Sequence, residues 1–96
     1  MKPRPPVRDT NWARVKDGFW DNVVDCLVEF HKLSRPDAVA QSAKLRKKLD
    51  NPPPGLRNDL YLNEEPFYIA CNIAGTELDL DPLYAQYDRI LQRHDW

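Results

Sequence analysis

The sequence predicts an all-α fold: a compact four-helix domain with a proline-rich connector and an extended N-terminal arm. Three features predict it. Apolar side chains recur at helical rather than alternating spacing in the long segments. Short polar residues and prolines stand where helices should begin, at Asp9 to Asn11, Ser34 to Asp37, Asn63 to Pro66 and Asp81 to Pro82. Between the second and third of these starts, Asp50 to Gly55 holds three consecutive prolines, which remove backbone donors and lock φ, so no helix crosses it.

Residues 1–8 contain three prolines together with Lys2, Arg4 and Arg8, a composition suited to an extended arm rather than a packed element. The first helix is expected over Trp12 to Leu33. On a helical projection Trp12, Val15, Phe19, Val23, Cys26 and Phe30 fall in one narrow stripe, and Trp20, Val24, Leu27, Val28 and His31 widen it. The apolar arc then spans roughly 220°, against the ~100° of an ordinary surface helix, so more than one neighbour has to cover it. Asp17, Asp21, Asp25 and Glu29 fill most of the remaining arc as an acidic ridge. Its plain reading is a solvated face; the functional reading is a ridge that engages a basic partner.

Ser34 with Asp37 three residues on, and Pro36 in the first turn, marks the second helix, which should run to about Leu49. Ala38, Val39, Ser42, Ala43, Leu45 and Leu49 form its apolar side, small enough to approach the first helix closely. Lys44, Arg46, Lys47 and Lys48 gather at its C-terminal end, where the helix dipole favours cations. Leu56 to Leu62 reads as either a helical turn or coil. The third helix should begin after an Asn63 cap and stop at Gly75; its run of Phe67, Tyr68, Ile69, Ala70, Cys71, Ile73 and Ala74 predicts burial on all sides, with Asn72 needing internal partners. Asp81-Pro82 opens the fourth, which runs to about His94 with Leu83, Tyr84, Tyr87, Ile90 and Leu91 on its packed side. Trp96 should fold back onto the domain or anchor a partner.

Length and composition suit one soluble domain over residues 1–96. The chain is 42% hydrophobic and 30% charged, and its net charge of −1 gives no global pull towards nucleic acid or an anionic membrane. No run approaches the ~18 apolar residues of a membrane span. Residues 1–8 carry prolines and arginines where a secretory leader would need an apolar stretch, so the expected location is cytoplasmic, with no membrane attachment. Cys26 and Cys71, outside any Cys-x-x-Cys spacing, read as buried free thiols.

Recognisable chemistry is hard to assemble from these residues. Cys26, His31, Cys71 and His94 are the tempting metal set, but Cys26 and His31 are about 140° apart on a helix, where ligands favour one-turn spacing. Glu77, Asp79 and Asp81 open like a calcium loop, yet Pro82 stands where the turn requires glycine. Glu64 and Glu65 are better explained as helix-start residues than as a catalytic acid pair. No hydroxyl or thiol has a base at a recognisable spacing, and Gly18, Gly55 and Gly75 are isolated.

What remains is a small cytosolic protein-interaction or regulatory module without catalytic activity, metal or cofactor. It would meet a protein partner or a second copy through Trp20, Tyr84, Tyr87 and Trp96, with Asp21 and Asp25 on the ridge. The alternative is a nucleic-acid-associated factor using Arg4, Arg8, Lys44, Lys47 and Lys48, with Lys2 and Arg46 beside them. A third class is an enzyme of unrecognised type, for which a cleft with convergent titratable groups would be needed.

Overall fold

A computed structural model describes residues 12–49 and 65–94, with side chains from Arg14 onward. The N-terminal arm, the proline connector, the Leu56 to Leu62 segment, the Asn63 cap, the Trp12 side chain and Trp96 lie outside the described residues. Those described form four helices: α1 (Trp12–His31), α2 (Arg35–Leu49), α3 (Pro66–Ala74) and α4 (Tyr84–Arg93). A 3-10 turn over Asp81–Leu83 leads into α4. No strand occurs among the described residues.

The α1 helix is central and touches each of the other three, as its broad apolar arc requires. Val15, Phe19, Val23 and Cys26 are buried, Trp20 and Leu27 join them, and Val24, Val28, Phe30 and His31 are half-buried. The helix ends two residues before the expected Leu33. Lys32 takes a left-handed φ of 63°, and the Leu33 N–H reaches back to the Leu27 carbonyl at 3.1 Å. This six-residue return closes the last turn and satisfies an otherwise orphaned acceptor, at a position where glycine is the usual occupant.

The expected capping pair starts α2, with the Asp37 N–H donating to Ser34 Oγ at 3.3 Å. Its packed seam is narrower than the composition suggested. Ala38 and Ser42 are buried and Leu45 and Leu49 half-buried, whereas Val39 and Ala43 are exposed. The correction is geometric: residues one position on from a seam at 38, 42, 45 and 49 are turned by about 100° and leave the contact with α1.

The α3 helix lies against α1, and Phe67 is the pivot of the aromatic core. Phe30, Tyr68 and Tyr87 surround its ring edge-on, with centroids 5.4, 5.5 and 5.5 Å away, a geometry that suits the ring quadrupole. Gly75 supplies the predicted stop in a left-handed conformation, φ 69°. The expectation of burial on all sides is corrected. Tyr68 is 45% exposed and Asn72 is exposed, so these residues, four apart, form a wet face and Asn72 needs no internal partners.

The α4 helix returns over α1 with Tyr87, Ile90 and Leu91 buried and Leu83 and Tyr84 half-buried, which is the predicted stripe. The Asp81 N–H donates to Asp79 Oδ1 at 3.2 Å, giving this part of the acidic loop the local role assigned to it.

Candidate functional site

The polar centre of the molecule is Asp25. It stands at the edge of the α1 apolar arc, beside Cys26, and is only 3% exposed. A carboxylate so placed needs donors, and three arrive from two other elements. Arg35 Nη2, at the start of α2, donates to Oδ1 at 3.1 Å. Arg93 Nη1, in the last turn of α4, donates to Oδ2 at 2.9 Å, and His94 Nε2 lies 2.7 Å from the same oxygen. An ionised carboxylate only accepts, so the His94 Nε2 must carry the hydrogen. Arg93 Nη1 also reaches Glu29 Oε2 at 3.3 Å.

Burial alone would raise the Asp25 carboxyl. Hydrogen bonds from His94 and Arg35, with their positive charge, outweigh it and hold the group below its ordinary value of 3.8. The two guanidiniums are balanced by Asp25 and Glu29, and both extend into water, their side chains 58% and 52% exposed. The node therefore ties the start of α2 and the end of α4 to α1. Its imidazole nitrogen is already committed to the carboxylate, and no hydroxyl or thiol is bonded to it among the described hydrogen bonds.

A second polar contact holds the middle of α4. Tyr87 Oη donates to Glu65 Oε2 at 2.7 Å and accepts the Phe67 N–H at 3.4 Å, which gives the buried phenol a partner on each side. Burial, then the bond and charge of Glu65, keep this phenol protonated. The Cys26 thiol is likewise pushed up, first by burial and then by the carboxylates of Asp25 and Glu29, so it is no nucleophile. Three buried atoms lack a partner among the described residues: Asn22 Oδ1, His31 Nε2 and Ser42 Oγ. Asn22 spends its amide on the Gly18 carbonyl at 2.8 Å.

The residues expected at a contact surface are divided by this arrangement. Trp20 and Tyr87 are 4% and 1% exposed, inside the core, where they cannot act as surface anchors in the closed fold. Asp25 is buried in its ion pairs, so the acidic ridge is not one continuous solvated face. Asp17 pairs with Arg46 at 2.9 Å and Glu29 with Arg93, while Asp21 stays exposed. Tyr84 is half-buried. Lys44, Lys47 and Lys48 are exposed at the end of α2. Arg4, Arg8 and Trp96 lie outside the described residues. Cys26 and Cys71 are buried free thiols, as expected, and no group of three or more metal-ligating side chains occurs among the described residues. No helix among them is long and apolar enough to cross a membrane.

Two exposed large apolar side chains were not singled out as contacts by sequence: Val39 at 50% and Tyr68 at 45%. Val39 sits with Pro36, Ala40 and Ala43 on the outward side of α2, all exposed. Comparison of the chain with protein-family models, curated proteins and solved structures gives no match.

Proposed function

We propose that the protein is a small interaction module without catalytic activity, and that it meets its partner through the outward side of α2. The observation that carries this reading is the half-exposed Val39 beside Pro36 and Ala43, with Ala40, Lys44 and Lys47 further round the exposed side of α2. Small residues let a partner backbone approach closely, and the lysines favour an acidic one. The Asp25 node supports the same reading, since its charged groups are spent on joining helices.

The test is affinity capture from the native cell, comparing the wild-type chain with Val39→Asp and with Gln92→Glu on exposed α4. A partner lost with Val39→Asp and kept with Gln92→Glu is the expected result. Recovery unaffected by Val39→Asp would remove α2 from the contact. A second reading, association with nucleic acid, draws on the three exposed lysines at the end of α2. It requires gel shifts that weaken with salt and with Lys44→Glu and Lys47→Glu. Arg46, committed to Asp17, and the absence of an aromatic side chain on α2 both weigh against it.

A further inference from the structure

We infer that α4 is a strap, clasped at its C-terminal end to Asp25, which opens as a unit while α1 and α3 stay packed. Four observations combine to carry this. The helix is ten residues long, too short to persist in water by itself, so losing its seat means losing its structure. It buries three side chains, Tyr87, Ile90 and Leu91, of which Tyr87 enters the aromatic centre edge-on to Phe67, whereas α1 buries six apolar side chains and α3 five. Its hold at the far end is polar: Arg93 and His94 on Asp25, and Arg93 on Glu29. The Arg93 part of that hold is open to water, because its side chain is 52% exposed and ions can screen its outer pair with Glu29, while the His94–Asp25 bond is more enclosed.

A segment with few buried apolar contacts and water-accessible polar ties belongs to the low-stability end of a fold and opens before the rest. The non-helical stretch between Gly75 and Leu80, exposed at Thr76, Glu77 and Asp79, gives the strap a place to swing from; opening takes the Tyr87 ring and hydroxyl away from Phe67 and Glu65 but leaves the packing of α3 on α1. Opening brings to the surface the stripe of Tyr87, Ile90 and Leu91, side chains that the closed form hides. The inference concerns the chain alone and does not depend on the α2 contact proposed above.

Amide hydrogen exchange on the full chain tests it. Amides of residues 88–93 should exchange faster than those of 19–23 and 69–71. Arg93→Gln, a change at a half-exposed side chain that leaves the core intact, should accelerate the first set about tenfold and leave the others unchanged, the scale of one charge-assisted hydrogen bond. Raising NaCl to about 0.5 M should act in the same direction. The control is Gln92→Ala, which removes only the exposed Gln92–Asp88 pair and should change nothing beyond α4 fraying of less than about twofold. A common rate for all three segments would overturn the strap, as would equal acceleration of all three by Arg93→Gln. Acceleration by Gln92→Ala as large as by Arg93→Gln would show simple fraying in place of a clasp.

Discussion

Asp25 differs from Asp21 by one helical turn and by nearly everything that decides what a carboxylate does. Asp21 is solvated; Asp25 is 3% exposed and accepts from Arg35, Arg93 and His94. Asp25→Asn should therefore lower stability by about 2 kcal/mol in urea unfolding, less than for a fully buried pair because both guanidiniums remain partly hydrated. Asp21→Asn should change it by less than about 0.5 kcal/mol. Half-buried His31 and buried Asp25 also set a pH response of one sign. Burial lowers the His31 value below 6.5, so between that pH and the folded value the unfolded chain binds the extra proton, and stability falls as pH falls. Asp25, held below 3.8, contributes stability that is present above that pH and lost as acid protonates the folded carboxylate. Unfolding curves of wild type minus His31→Gln should isolate the upper window, and wild type minus Asp25→Asn the lower one.

At the level of elements, starts were easier to read than ends and faces. Ser34 and Gly75 act as their side-chain chemistry dictates, because a cap is a local property of a few residues, whereas Asp81 is no side-chain cap: Leu80 holds the cap position of the 3-10 turn, Pro82 sits inside that turn, and α4 itself begins at Tyr84. The end of α1 was not legible, since Lys32 occupies a left-handed position that nothing in its type announces. Lys32→Gly should remove that strain and raise the midpoint of urea unfolding by about 0.5 kcal/mol equivalent, net of the lost bond from Lys32 Nζ to the Glu29 carbonyl. Faces fail for a different reason. Val39 and Tyr68 look like core residues by type, and only the placement of neighbouring helices turns them outward. The wet side of α3 did have a trace in sequence: Tyr68 and Asn72, the two side chains with polar atoms in that run, are spaced to share one side.

For the whole molecule, the breadth of the α1 apolar arc was sufficient to foretell a central helix wrapped by others. Val23, 0% exposed, lies at the middle of that arc. Val23→Asp should abolish cooperative unfolding, since burying an unpartnered carboxylate costs several kcal/mol, a large share of the stability of a domain this small; circular dichroism would report the loss. The node that joins three helices could not be foretold, because its partners stand 10, 68 and 69 residues from Asp25 and no local pattern links them. Cys26 and Cys71, free and enclosed, carry one more consequence. A soluble alkylating reagent can reach Cys26 only when the interior opens, and its thiol resists ionising there. The molecule thus contains its own clock for breathing: with no engineered cysteine, the pace at which the reagent adds mass at this sulfur measures how often the centre comes apart, and Cys71, 7% exposed, should tick slightly ahead.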